Sequence, residues 1–425
     1  MAMAAGMTDP LTQVAPRVER VEADLAALGA IGRLPGGGMA RLAWTEEEFA
    51  AKAFLEERLR ALGLSPRRDA AANVRADVGP DGGPVLMIGS HLDTVPSGGR
   101  YDGALGVLGA LEVVRLLLES GRPLKRRVRL CAFTDEEGAR FGTGLFGSTV
   151  VAGDHDMAHM ESVRDSAGVS LGEAMAARGM RLDRLGEAAS TLDGVEAYLE
   201  LHIEQGPRLE RLGRDVGVVT AITGIRQVQY TFEGEANHAG TTALADRRDA
   251  LLPAAATILA VREAAERTGG RAVATVGMVR ATPGAANVVP GQATMSVEVR
   301  SPEGDVTAAV HVDIARAAEA QARAHGAEIV REVRHHVAPA IMDAPWRERL
   351  RKSAAAVGEE PVDLVSWAGH DAGALATRVP VAMLFVPSRG GLSHTPTEYT
   401  APERYHAGLT AFARTVAAWA LGVDP

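Results

Sequence analysis

Five short clusters in this chain combine imidazoles and carboxylates: His91-Leu-Asp93, Gly98-Gly-Arg-Tyr-Asp102-Gly103, Asp135-Glu136-Glu137-Gly138, His202-Ile-Glu-Gln-Gly206 and Gly391-Leu-Ser-His394. A set of His, Asp and Glu without thiolates suits borderline divalent ions such as zinc, manganese, cobalt or nickel. Two such ions sharing one carboxylate lower the pKa of a water held between them. Hydrolysis then needs a further carboxylate, unligated, to take the water's proton and pass it to the leaving nitrogen. Adjacent glutamates serve this well, because successive side chains diverge and one can bind metal while the other faces the water. Two divalent ions balanced by two carboxylates and a hydroxide remain slightly positive, which favours an anionic substrate.

Four of these clusters follow short apolar runs: Val85–Ser90, Val128–Thr134, Val195–Leu201 and Val381–Val386. In an open α/β sheet, ligands bind outside the carboxyl ends of the strands, so these groups should converge. The runs alternate with helical patterns at Ala104–Glu119, from Leu145, at Trp346–Val357 and at Pro402–Leu421, which predicts a mainly parallel α/β sheet. Thr45-Glu-Glu-Glu48 reads as a capping box that opens a helix ending near Leu62. From about Gly217 the pattern changes to strand (Val218–Glu233), helix (Arg247–Thr268), two strands (Ala272–Arg280, Ala293–Arg300), helix (Val306–His325) and strand (Ala327–Arg334). This order predicts a ferredoxin-like unit. The expected architecture is an α/β domain built from residues 1–216 and 335–425, with a smaller α+β domain, 217–334, inserted.

Composition excludes several alternatives. At 46% hydrophobic and 23% charged residues over 425 positions, the chain can build large cores and is not disordered. Its net charge of −9 argues against nucleic acid and anionic membranes as partners. Cys131 is the single cysteine, so no internal disulfide or Cys-rich zinc site exists, which fits a reducing cytoplasm. It lies in an apolar strand and is expected to be inert packing. The most apolar helical stretch, Ala104–Leu118, carries Glu112 and Arg115 and is too short to span a bilayer of ~20 residues' depth. Met1–Pro10 lacks the pattern of a secretory signal. Gly98–Gly103 has neither spacing of a phosphate-binding loop. His155, His159, His311, His325, His335, His336 and His406 are read as structural or surface residues.

The segments GSHLDTVPSGGRYDGALGVL, FTDEEGARF, ELHIEQGP, ANHAGTT, AGHDA and GLSHTPTE resemble the dinuclear-metal amidohydrolases of the M20 peptidase superfamily. Within it they are most similar to the hydantoinase/carbamoylase group, which includes N-carbamoyl-L-amino-acid hydrolases, β-ureidopropionases and allantoate amidohydrolases. The similarity runs from about Gly37 to the C-terminus. It implies a metallopeptidase-like catalytic domain with a ferredoxin-like lid and dimerisation domain, two divalent ions per subunit (Zn, Mn, Co or Ni), and a homodimer. By this resemblance His91, Asp102 and His202 hold one ion, Asp102 bridges to a second completed by Glu137 and His394, and Glu136 is the general base. Asp93 orients the His91 ring from behind, and Gln205 faces the substrate. His238 stabilises the oxyanion across the dimer interface, and Asn287 and Arg300 bind the substrate's α-carboxylate. His370 is assigned to the pocket floor, with capping of a helix by His370-Asp371 as its ordinary alternative.

The implied reaction cleaves the ureido C–N bond of an N-carbamoyl-L-amino acid, a small anion. Allantoate or ureidoglycolate hydrolysis is the close rival; an aminopeptidase or dipeptidase, or a non-catalytic binding protein, is further off. Two departures stand out. Ser366 is followed by Trp367, where the group often has a small residue, and the paired threonines continue as Thr241-Thr-Ala-Leu244 without proline.

Overall fold

Strand Val85–His91 is buried along its whole length, as an apolar run between layers of helix must be. A computed structural model of the protein describes Leu11 and residues 14–425. Met1–Pro10, read above as lacking a secretory signal, lies outside the described residues. Val85–His91 is flanked in parallel by Arg127–Phe133 and Val195–Ile203, and Val195–Ile203 in turn by parallel Val381–Val386. Antiparallel Val74–Val78, beside Arg127–Phe133, was not anticipated from the sequence; Gly217–Ile222 adds a second antiparallel neighbour beside Val381–Val386. The sheet is therefore mixed, with a parallel centre.

Helix Ala104–Glu119 is apolar nearly all round and buries Leu105, Leu108, Leu111 and Val114 completely or nearly so. Helix Pro402–Leu421 joins the same core through Leu409, Phe412 and Val416. Truncating any such leucine to alanine costs about 2–5 kcal/mol. Both helices have the bounds read from the sequence. The capping box does not have the expected form. Thr45 caps the Glu48 amide at 3.3 Å, but Glu48 Oε2 accepts from the Trp44 N–H at 2.6 Å while its other oxygen pairs with buried Lys52. The Thr45 amide is already committed to the Leu42 carbonyl, so the glutamate reaches one residue further back. Among the described residues no helix is long and apolar enough to cross a membrane.

The chain divides into two compact units, Met1–Thr220 with Ile341–Pro425, and Ala221–Ala340. The sequence reading set the insert at 217–334. The difference arises because the expected strand 218–233 is interrupted at Thr223. Gly217–Ile222 pairs in the large sheet, and Gly224–Glu233 starts a second one. That second sheet is antiparallel, ordered Glu328–Val337, Gly224–Glu233, Gln292–Ser301, Val273–Thr282. Its alternating residues Val228, Tyr230, Phe232, Met295 and Val297 pack beneath helices Leu251–Glu266 and Gly304–Ala324. The opposite face carries Gln227, Thr231, Ser296, Glu298 and Arg300, the hydrophobic-in, polar-out alternation of a one-sided sheet.

Candidate metal centre

Parallel pairing sets two histidines at neighbouring strand ends. His91 closes its strand opposite Phe133, and His202 lies opposite Phe385. Both rings are buried. The His202 Nδ1 atom bonds the Ile203 carbonyl at 2.8 Å, and His91 Nδ1 lies 3.1 Å from the Asp93 carbonyl. Each imidazole is thereby held with Nε2 turned to the same oxygen, Asp102 Oδ1, at 3.1 Å for His202 and 3.6 Å for His91. The other oxygen, Asp102 Oδ2, is 3.3 Å from His394 Nε2, which is itself 3.2 Å from Glu137 Oε2. Two clusters result, His91–Asp102–His202 and Asp102–Glu137–His394, with Asp102 common to both. Their donors are all imidazole nitrogens and carboxylate oxygens, and one carboxylate turns an oxygen to each side. That donor set fits two borderline divalent ions sharing Asp102.

The backbone is bent to make this possible. Asp135, Gln205 and His394 all adopt left-handed φ, near +55°, +55° and +59°, a conformation that costs non-glycine residues free energy and concentrates at functional sites. Gly103, at φ +62°, has no alternative, because a Cβ there would fall on the His91 ring. Asp102 does not cap the helix that follows it; only its carbonyl, bonded to the Ala104 amide, takes part in that turn.

Asp93 differs from the expectation. Its carboxylate stands 3.6 Å from His91 Nδ1 and instead accepts the amides of Glu136 (3.2 Å) and Glu137 (3.1 Å). It fixes the glutamate turn, and the ring is held by its backbone carbonyl. Glu136 places Oε2 3.6 Å from His91 Nε2. Burial pushes its carboxyl well above the usual range, and Glu137, Asp371 and Asp93 add to this against the opposing His91. Burial also disfavours the Asp102 carboxylate, yet His202, His394 and His91 together hold it well below its ordinary value. Hydrogen bonds to Asp102 and Glu137 raise His394 to about 10.

Gln205 was expected to face the substrate. Its amide donates to Asp102 Oδ2 at 2.7 Å, so it supports the shared carboxylate. His370 is buried, edge-on to His202 with centroids 4.5 Å apart, and its Nε2 shares a hydrogen bond with Ser366 at 2.8 Å. Burial, then the neighbouring His202, keep this imidazole well below its ordinary value. It backs His202 as packing. Cys131 is buried, with its thiol pushed up by burial, in keeping with an inert role. Two residues were missed. Arg41 is buried beneath the His91 turn, bonding the Leu92 carbonyl at 2.8 Å, and burial lowers it to about 10. Glu398 belongs to a segment singled out in the sequence, GLSHTPTE, in which only His394 was given a role.

In the inserted unit, a two-residue ribbon pairs Asn237–His238 with Val288–Val289, and the Ala239 amide bonds the Asn287 carbonyl at 2.9 Å. His238 and Asn287 are thus neighbours, and both are exposed. The amides of Gly240 and Thr241 donate to His238 Nδ1 at 3.0 and 3.2 Å, which leaves Nε2 as the protonated nitrogen of the neutral ring. Arg300 is not brought to this ribbon. It sits near the far end of strand Gln292–Ser301, paired with Glu298 at 2.6 Å.

Comparison with known proteins agrees with this geometry. The profile of peptidase family M20/M25/M40 matches residues 87–418. An N-carbamoyl-L-amino acid amidohydrolase of Geobacillus stearothermophilus is 39% identical over 401 residues, 94% of this chain and 97% of that protein. An allantoate amidohydrolase of Bacillus subtilis is 35% identical, covering 90% and 93%. A crystal structure of a hydantoinase/carbamoylase-family amidase from Burkholderia multivorans superposes with a TM-score of 0.84 at 33% identity, covering 96% and 99%.

Proposed function

The chain belongs to peptidase family M20/M25/M40, and on that footing we propose that it hydrolyses the terminal ureido C–N bond of N-carbamoyl-L-amino acids. It is an amidohydrolase of the carbamoylase type, acting on non-peptide C–N bonds. The observation that carries the reading is Asp102, with one oxygen turned to each histidine set, beside a glutamate, Glu136, that neither cluster uses. His91, His202 and Asp102 would hold one ion, and Asp102, Glu137 and His394 the other. When bound, two divalent ions would polarise the carbamoyl oxygen and acidify the attacking water.

Glu136 takes the proton as the water oxygen bonds to the carbamoyl carbon. Its raised proton affinity suits it to keep that proton and deliver it to the terminal nitrogen as the C–N bond breaks. Ammonia leaves, and the remaining carbamate loses carbon dioxide to give the amino acid. The Gly240 and Thr241 amides, donating to His238 Nδ1, fix its tautomer, so that Nε2–H can donate to the oxyanion. Arg300 suits the substrate carboxylate, since a planar guanidinium pairs both oxygens.

Arg300 lies eight residues beyond Gln292 along one strand, about 26 Å at the usual rise, while Asn287 and His238 adjoin the Gln292 end. A single inserted unit therefore cannot present all three to one small substrate. This supports a homodimer formed through the inserted unit, in which Arg300 and the His238–Asn287 ribbon of one copy serve different sites. We place the enzyme in the cytoplasm, in keeping with its lone reduced cysteine.

The second reading, allantoate amidohydrolysis, is favoured by the Bacillus subtilis relative and would use the same groups. Ammonia release from N-carbamoyl-L- and D-amino acids, β-ureidopropionate, allantoate and a dipeptide separates the two. The expected order puts N-carbamoyl-L-amino acids first, and preferential release from allantoate would reassign the substrate.

A further inference from the structure

Glu398 is 5% exposed and spans two segments that each carry a candidate ligand. Its Oε1 atom accepts the amides of Tyr101 (2.7 Å) and Asp102 (3.0 Å), nearly three hundred positions earlier in the chain. Its Oε2 atom is 2.9 Å from the Ser393 hydroxyl, and that hydroxyl is 2.5 Å from Asp102 Oδ2. Ser393 directly precedes His394. The neighbouring residues reinforce the joint, with the Tyr101 and Tyr399 rings meeting edge to face at 5.8 Å. The loop leaves room for it, because any Cβ at Gly99 would collide with the Glu398 carboxylate. Gly99, in a Gly98–Gly103 stretch that fits no phosphate loop, thus gains a physical explanation.

We propose that Glu398 is a positioning residue: its buried carboxylate ties the Asp102 loop to the His394 loop and so sets the spacing of the two ligand sets that share Asp102. The backbone at Asp102 is held by two hydrogen bonds to a single carboxylate oxygen, and the Asp102 side chain is held through Ser393. Glutamine can preserve the arrangement. Its amide oxygen accepts the same two N–H groups, and its NH2 donates to Ser393 Oγ, which frees the serine proton for Asp102. Alanine removes every bond, and aspartate is one methylene too short to reach both loops. The metal-related part of this role rests on the two-ion reading above.

The test compares the full-length wild type with Glu398→Gln, Glu398→Ala, Glu398→Asp and Gly99→Ala. In metal-free protein, hydrogen exchange at the Tyr101 and Asp102 amides should be slow in wild type and Glu398→Gln. In the other three it should be roughly tenfold faster or more, since a buried hydrogen-bonded amide has lost its acceptor. Titration with Mn²⁺ should show the weaker of two sites losing about 10–100-fold in affinity in those same three variants, as for other partners of metal ligands. Glu398→Gln should stay close to wild type. Should Glu398→Ala fail to fold, Glu398→Asp and Gly99→Ala carry the same expectation. Wild-type exchange and manganese affinity in the aspartate and Gly99→Ala proteins would overturn the proposal. A wild type that binds fewer than two ions would instead overturn the two-ion reading, and the exchange rates would still decide the role of Glu398.

Discussion

The candidate groups of the two units are held in opposite ways. In the α/β unit, His91, Asp102 and His202 are buried at the ends of parallel strands, and each ring or carboxylate is fixed by a further bond. In the inserted unit, His238 and Asn287 are exposed on a two-residue ribbon, and Arg300 is a strand's length away. Buried charge is costly unless it is paired, so the first set can persist only as a closed, mutually compensated network. The second set needs no such network, because His238 and Asn287 are open to water. The contrast separates a buried, mutually bonded cluster from groups that the fold leaves accessible.

Substitutions can sharpen or break this contrast. Glu136→Gln should have the largest effect, a fall of about 10²–10⁴ in kcat with bound metal unchanged, because it removes proton transfer and leaves the ligands in place. Rapid-quench kinetics beside metal analysis reads both quantities. Near-wild-type turnover would remove Glu136 from the chemistry. His238→Asn should lower kcat by about 10²–10³, the usual cost of one oxyanion donor, with thermal stability unchanged because the ring is exposed. A change in stability instead would show that the ribbon is as integrated as the buried centre.

The smallest effect concerns pH. His311 in the inserted unit is lowered to about 4 by burial first, then by the charge of Arg226 and His336, against a favourable bond from its Nε2 to the Arg226 carbonyl. The unfolded chain binds a proton below pH ~6.5 that the folded protein refuses until near pH 4. Stability from this group is therefore complete above pH 6.5 and declines as pH falls towards 4. Thermal melts across that range should slope in wild type and flatten in His311→Gln; equal slopes would assign the loss to other groups.

Much of the centre was legible in sequence because strand ends announce themselves. An apolar run that stops at His91, His202 or the Glu136–Glu137 pair marks both the element and its exit point. The resemblance supplied the remaining assignments. What escaped was set by distant packing. Glu398 accepts the Asp102 amide only because the fold brings together segments nearly three hundred residues apart. Gln205 donates to Asp102 from a left-handed backbone, a conformation that a sequence pattern does not reveal. Thr223 interrupts a run that reads as one strand, since its two halves belong to different sheets. Asp93 lies two residues from His91, and that spacing suggested a bond to the ring; the competing amides of Glu136 and Glu137 claimed the carboxylate.

The two-ion reading is tested most directly by anomalous scattering from crystals grown with manganese. Two peaks per chain are expected, one against His91 and His202 and one against Glu137 and His394, with Asp102 touching both. A single peak, or a second one at the buried Glu200–His202–His370 cluster, would contradict it.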